Sequence, residues 1–248
     1  MPPWLPDPGS PSFENERRLT GAELGAIEAW VAQGAHEGVA ADRPQLPVWT
    51  DRWQLGTPDL VVELPEAYAL QPATTDAFRT FVLPVPIQSV RYVRGVEVRP
   101  GNPQVVHHVT LALDPTSSSR RLDDADPGPG FGGGMFSPDA RNPENRALGW
   151  TPGITPRMEP DGMAWRLEPN TDLVLEFHML PSRTGEVALV KPSVGLYFAD
   201  RPPTRPSIDF KLGSKAIDIP PGKSDYAIED TFVVPVDVEV LSVYPHAH

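Results

Sequence analysis

The sequence predicts an all-β fold, an antiparallel β-sandwich of the jelly-roll type. Proline accounts for 32 of the 248 residues, well above the typical share of about 5%, and it marks strand ends and turns rather than helices. From about residue 60 onward, short apolar runs follow one another without a helical pattern between them. Many short strands joined by turn-rich connections are typical of sandwiches and barrels.

The one strong helix signal lies before these strands. In LTGAELGAIEAWVAQGA, Thr20 and Glu23 have the spacing of a capping box, and Gly34 follows as a stop signal. Four apolar residues fall on one face of the predicted helix, which therefore needs a packing partner. These four residues are Leu24, Ile27, Trp30 and Val31.

The predicted strands are separated by Pro, Gly and Asp residues. A long segment from Asp114 to Pro160 has weak patterning and is expected to run over the surface. In chain order the predicted strands are LVVEL (60–64), RTFVLPV (79–85), SVRYVRGVEV (89–98), VVHHVTLAL (105–113), MAWRLE (163–168), DLVLEFHML (172–180), VGLYFA (194–199), IDFKL (208–212), YAIEDTFVV (226–234) and DVEVLSVY (237–244).

The composition excludes several classes of protein. The formal net charge is −12 and the Lys and Arg residues are scattered, so we expect no nucleic-acid partner. The chain contains no cysteine, which excludes disulfides, iron–sulfur clusters and thiolate zinc sites. No run approaches the roughly 18 apolar residues of a membrane span, and the start of the chain has no signal-peptide pattern.

Histidines carry the clearest chemical signal, because five of the six lie in or next to predicted strands. In a strand, residues two apart point to the same side, so His246 and His248 can present two imidazoles to one metal ion. His107 and His108 are adjacent, and they can share an ion only where the strand twists or bulges. His178 lies on the face of its strand opposite Leu175 and Phe177.

A metal site is one of two interpretations of this pattern. An isolated histidine on a strand is more often a hydrogen-bonded or surface residue than a ligand, and His36 in the GAHEG segment is expected to be such a loop residue. If the side chains of His107, His108 and His178 converge, the metal interpretation gains. If they are scattered, a β-sandwich module that binds carbohydrate or a protein partner is favoured. In another alternative, His246 and His248 form a surface zinc pair.

The order of the three histidine motifs resembles that of a known enzyme family. RPGNPQVVHHVTLALD, LVLEFHMLPSRTG and VLSVYPHAH are together similar to the copper type II, ascorbate-dependent monooxygenases, which include the peptidylglycine and dopamine β-monooxygenases. The resemblance implies two consecutive jelly-roll domains that each hold one copper ion. It implies that His107, His108 and His178 bind the first copper, which stores and passes an electron. It assigns His246 and His248 to the second, where dioxygen is activated.

The same resemblance implies that the chain is a fragment. The third ligand of the family's second copper is a methionine downstream of the HxH motif, so that site is expected to be incomplete and the isolated chain inactive. The first 35 residues resemble the end of a c-type cytochrome domain, in which Met1 of MPPW would be a haem ligand. Haem c is expected only in a longer parent chain, because this one has no CxxCH motif.

The predicted organisation therefore has four parts. They are a cytochrome remnant (1–40), a linker (41–54), a first copper-binding jelly roll (55–200) and the beginning of a second (201–248). The predicted function is copper-dependent hydroxylation of a C–H bond in a small-molecule or peptide substrate, with the metal ligands as the only assigned site residues. The electron donor would be ascorbate or a cytochrome. The parent protein would be periplasmic or secreted.

Overall fold

A computed structural model of the chain describes residues 18–45, 53–133 and 136–243. The chain divides into two compact units, Met1–Asp51 and Arg52–His248. In the first unit the helices are α1 (Gly21–Ala32) and a short 3-10 turn (Ala40–Asp42), and in the second they are α2 (Ser118–Ala125) and a 3-10 turn (Pro143–Asn145). Among the described residues, no helix has the length and apolar character needed to cross a membrane.

Helix α1 confirms the predicted capping box. The backbone N–H of Glu23 donates to Thr20 Oγ1 over 3.2 Å, and the backbone N–H of Thr20 donates to Glu23 Oε2 over 2.7 Å. Gly34 follows the helix with a φ of +93°, a left-handed conformation that glycine adopts without strain. The four residues of the predicted apolar face are between 47% and 59% exposed in the part of the chain that the structure describes. Met1 and the rest of the predicted cytochrome remnant up to residue 17 lie outside the described residues.

The second unit is built from antiparallel strands, which confirms the all-β prediction. One sheet has the order β1-β11-β4-β8, a second has the order β6-β3-β9-β5-β7, and β10 pairs with β2. The strands are β1 (Leu60–Glu63), β2 (Tyr68–Leu70), β3 (Ala77–Pro84), β4 (Arg91–Arg99), β5 (Val106–Asp114), β6 (Phe131–Gly132), β7 (Leu148–Trp150), β8 (Trp165–Leu167), β9 (Asp172–Met179), β10 (Ala188–Val190) and β11 (Ser193–Ala199).

In the described part of the second unit, side chains from both larger sheets form one apolar core. Phe81, Phe177 and Leu175 of the five-stranded sheet and Trp165 and Leu196 of the four-stranded sheet are 1% exposed or less. Burying one such side chain stabilises a fold by about 1.5–3 kcal/mol. The alternation of each strand places these residues inward and leaves an outer face on the five-stranded sheet.

Part of that outer face is covered by the segment after β5. The prediction for this segment missed helix α2, which contacts β3 and β6. Its residue Arg120 donates to Asp172 Oδ1 and Oδ2 at the start of β9. The central side chains Val82, Val174 and Ala112 of the outer face are all 4% exposed or less. The outer face is therefore buried at the end of the sheet next to α2 and along the strands as far as these three residues.

Three predicted strands are wrong for the part of the chain that the structure describes. Residues 200–243 contain no helix or strand, although IDFKL, YAIEDTFVV and DVEVLSVY alternate in the manner of strands. A strand forms only when a neighbour accepts and donates its backbone hydrogen bonds. In the described residues these runs have no such neighbour, and Ile208 and Val240 are 67% and 73% exposed.

Candidate metal centre

Three of the predicted ligands converge on the outer face of the five-stranded sheet. His107 and His108 lie near the start of β5, and His178 lies near the end of the antiparallel β9. The Nδ1 atom of His107 is 3.1 Å from Nδ1 of His108 and 3.1 Å from Nδ1 of His178. One nitrogen from each ring lies within 4.8 Å of the other two. All three side chains are partly buried.

A β-bulge allows two consecutive histidines to face the same point. In the β5–β9 ladder, Val106 is opposite Met179 and His108 is opposite His178, with a register shift between Val106 and His108. His107 is therefore an extra residue without a partner position in β9. A bulge bends and twists its strand locally, which turns the His107 side chain toward its neighbour. The bulge that the sequence analysis requires for His107 and His108 to share an ion is therefore present.

The spacing of the nitrogens suits a single metal ion. Metal–imidazole bonds of about 2.0–2.1 Å place two ligand nitrogens about 2.9 Å apart at a right angle and about 3.4 Å apart in a tetrahedron. Both 3.1 Å separations at His107 Nδ1 lie within this range. An imidazole nitrogen carries either one proton or one in-plane lone pair. Direct hydrogen bonds therefore cannot satisfy both contacts of His107 Nδ1 well, whereas a shared cation can satisfy all three lone pairs.

The electrostatics of the cluster favour neutral imidazoles. Burial lowers the pKa of His107, and the neighbouring His178 lowers it further. Burial also lowers the pKa of His108, again with a contribution from His178 and one from His107. Both rings are thus predominantly neutral at pH 7, and a neutral ring is the form that binds a metal ion.

His178 is held by two residues that the sequence analysis did not identify. Its Nε2 atom lies 2.7 Å from Oδ2 of Asp76. Its ring stacks on Phe78, with 4.4 Å between the ring centroids and 12° between the planes. Phe78 lies directly opposite His178 in the β3–β9 ladder. No local pattern could reveal these contacts, because they depend on the pairing of strands about 100 residues apart in the sequence.

A carboxylate lies on the same face, next to the histidines. Glu176 is two residues before His178, and in the ladders it lies opposite Thr80 of β3 and Thr110 of β5. Burial raises the pKa of Glu176. The Thr80 hydroxyl is fully buried and has no hydrogen-bond partner among the described residues. Glu176 does not belong to the group of mutually close metal-binding side chains.

Of the other three histidines, His36 alone lies within the described residues. His36 lies in an exposed loop of the first unit, as predicted, and its carbonyl oxygen accepts a hydrogen bond from Trp30 Nε1. His246 and His248 lie outside the described residues, so their assignment stays a prediction. The cluster of His107, His108 and His178 is called the histidine triad below.

Comparison with known proteins assigns no family, since the chain matches no protein-family model and no curated protein.

Proposed function

We propose that the chain binds one copper ion through the histidine triad and that this site serves a copper-dependent monooxygenase as the copper that stores and passes an electron. The observation that carries the proposal is the convergence of three Nδ1 atoms from two strands. A binding module with ordinary histidines gives no reason for this convergence. It also gives no reason for a bulge that adds one histidine to the cluster.

The donor set favours copper among the metals that a protein commonly binds. The triad offers three imidazole nitrogens and neither thiolate nor carboxylate, a set that suits copper, zinc or nickel. Copper binds most tightly among the divalent first-row ions. When bound, copper supplies one-electron chemistry, which zinc cannot supply because its oxidation state does not change.

The proposed reaction is hydroxylation of a C–H bond in a small-molecule or peptide substrate by dioxygen and a reductant. The support for this step is the sequence resemblance, in which His246 and His248 would hold a second copper ion. We further propose that the two larger antiparallel sheets form a jelly roll and that the parent protein is periplasmic or secreted. Ascorbate or a cytochrome would supply the electrons.

Copper titration tests the metal site. The test protein carries His246→Ala and His248→Ala, so that tight binding depends on the triad. Cu(I) affinity is measured anaerobically by competition with a chromophoric chelator, and Cu(II) is followed aerobically by EPR. His107→Ala and His178→Ala are compared with the control His36→Ala, which removes an exposed loop histidine.

We expect one bound copper with nitrogen hyperfine structure, lost in both triad variants and retained in the control. Ascorbate should abolish the Cu(II) signal, and reoxidation should restore it. Equal copper binding by the test protein and by its His107→Ala and His178→Ala variants would refute the site. Tight binding without reduction by ascorbate, together with displacement of copper by zinc, would instead indicate a structural zinc site.

A further inference from the structure

His178 differs from the other two members of the triad in the contact that its Nε2 atom makes. His178 Nε2 lies 2.7 Å from Asp76 Oδ2. For His107 and His108, the ring-nitrogen contacts within the described ranges are those between Nδ1 atoms of the triad. His178 is therefore the triad histidine whose outward nitrogen contacts a carboxylate.

This contact determines which nitrogen of His178 carries the proton. An ionised carboxylate can only accept hydrogen bonds, so Nε2 must be the donor. A neutral imidazole has one N–H, which leaves Nδ1 with its lone pair. That lone pair lies on the side of the ring that is 3.1 Å from His107 Nδ1. In the opposite tautomer, a proton would occupy the position that a metal ion needs.

Phe78 restrains the same ring in a second direction. The two rings are 4.4 Å apart and nearly parallel, at 12°. A stacked neighbour limits rotation of the imidazole about its Cβ–Cγ bond, while the hydrogen bond to Asp76 fixes the direction of Nε2 within the ring plane. The ring is thus restrained by the backbone of β9, by Phe78 on its face and by Asp76 at its edge.

We propose that Asp76 is a positioning residue of the metal site, which holds His178 as the Nε2–H tautomer and directs Nδ1 toward the ion. The inference rests on the metal-binding part of the proposed function and deepens it. Carboxylates that accept from metal-binding histidines typically contribute 10- to 100-fold in metal affinity. Asp76 would act through His178 and would not contact the ion.

An ordinary surface ion pair would behave differently. The Asp76 side chain is 45% exposed, and exposed ion pairs typically contribute little to the stability of a fold. Replacing Asp76 should therefore leave the thermal midpoint nearly unchanged. Its effect should appear in the tautomer of His178 and in metal affinity, which a purely structural surface contact would not alter.

The test uses the whole chain and begins without metal. Long-range ¹H–¹⁵N NMR of histidine side chains at pH 8 reports the tautomer of His178 in the parent, in Asp76→Ala and in Asp76→Asn. Asp200→Ala removes another exposed carboxylate, at the end of β11, and serves as the control. Zn(II) affinity is then measured for each protein, again with His246 and His248 replaced by alanine.

We expect the Nε2–H tautomer in the parent and in the control, and a mixture of tautomers in Asp76→Ala. The Zn(II) affinity of Asp76→Ala should fall about 10- to 100-fold. The Asp76→Asn variant, which keeps an acceptor oxygen, should lie closer to the parent. An Nδ1–H tautomer in the parent would overturn the proposal, and so would an unchanged tautomer and affinity in Asp76→Ala. Because the tautomer is measured without metal, this result is separate from whether the chain binds copper and whether ascorbate reduces that copper.

Discussion

The Nδ1 atoms of the consecutive residues His107 and His108 lie 3.1 Å apart, although neighbours on a regular strand point to opposite sides. The register shift in the β5–β9 ladder explains this geometry, because the ladder continues from Val106 directly to His108. His107 is thus an extra residue that adds a third imidazole to the histidine triad, and the pairing with β9 resumes at His108.

Deleting His107 should convert the bulged ladder into a regular one. Val106 and His108 would keep their partners Met179 and His178, so we expect the deletion variant to fold. Its free energy of unfolding should equal or exceed that of His107→Ala. Metal binding should fall to the level of His107→Ala, because only two ligands remain. Denaturant titration and Zn(II) affinity check the two parts.

Two results for the deletion variant would contradict this prediction. If it unfolds far more easily than His107→Ala, the bulge is needed for packing and the ladder cannot close across the gap. If it retains full metal affinity, a residue other than His107 supplies the third nitrogen.

Metal affinity should depend on pH in a direction set by the lowered pKa values of His107 and His108. Protons compete with the metal only near and below these pKa values, which lie below the ordinary 6.5. We expect Zn(II) affinity to change little between pH 8 and pH 7 and to fall steeply only once the pH is below the ordinary 6.5. As the pH is lowered, a short peptide containing VVHHVT should begin to lose affinity at a higher pH than the protein does, because the histidines of the peptide are exposed to water. Identical pH profiles would contradict the prediction.

The same shifts predict acid sensitivity of the metal-free fold. Between the lowered native pKa and the ordinary value of 6.5, the unfolded chain binds more protons at His107 and His108 than the native protein does. The free energy of unfolding therefore decreases as pH falls through this interval. Bound Zn(II) should raise the free energy of unfolding but make its decrease with falling pH steeper, because the metal keeps the imidazoles unprotonated in the native state while the unfolded chain still takes up protons.

Glu176 should destabilise the native protein at neutral pH. Burial raises its pKa above the ordinary 4.5, so the native state favours the protonated acid. The free energy of unfolding therefore decreases as pH rises from 4.5 through the raised native pKa. Glu176→Gln removes this partly buried charge and should raise the thermal midpoint at pH 7, with a smaller gain at pH 4. Glu66→Gln, at an exposed position, should change the midpoint at neither pH. Equal effects of the two substitutions at pH 7 would contradict the assignment.

Local signals in the sequence predicted the local parts of the structure. The capping box of α1 involves residues three apart, and the strands that carry the triad alternate over eight or nine residues. The interactions of His178 with Asp76 and Phe78 depend on how β3 pairs with β9, which alternation does not specify. The opposite failure occurs in residues 208–243, where alternation is present but no neighbouring strand pairs with it in the described residues.

Helix α2 was missed because its start depends on a buried carboxylate at the end of β5. Asp114 is fully buried. Its Oδ1 accepts from the backbone N–H and the hydroxyl of Thr116, both at 2.7 Å. Its Oδ2 accepts from the Ser118 hydroxyl at 3.0 Å and from the Ser119 N–H at 2.6 Å. The N-cap residue Ser117 makes no side-chain cap, so Asp114 satisfies the first turn from outside the helix.

Replacing Asp114 by alanine should therefore destabilise the fold by about 2 kcal/mol or more, because even one hydrogen bond to a charged group contributes about 1.5–3 kcal/mol and a buried donor left unpaired adds a penalty. The triad is at the other end of the same strand, about 20 Å away at 3.3 Å per residue, so Zn(II) affinity should not change. Asp124→Ala, at an exposed position of α2, is the matched control. A loss no larger than that of the control would contradict this role.

Asp114 should also contribute to acid unfolding. Burial alone would raise the pKa of Asp114, but hydrogen bonds from Ser119 and Thr116 outweigh burial and hold the pKa well below its usual range. Its stabilisation is thus complete above the ordinary value of 3.8 and is lost as pH falls below it, because the unfolded chain takes up the proton first. Asp114→Asn should be less stable than the parent at pH 7, and the difference should narrow toward pH 2. Urea denaturation at several pH values measures this convergence, and a difference that stays constant with pH would show that the Asp114 carboxylate is not the group responsible.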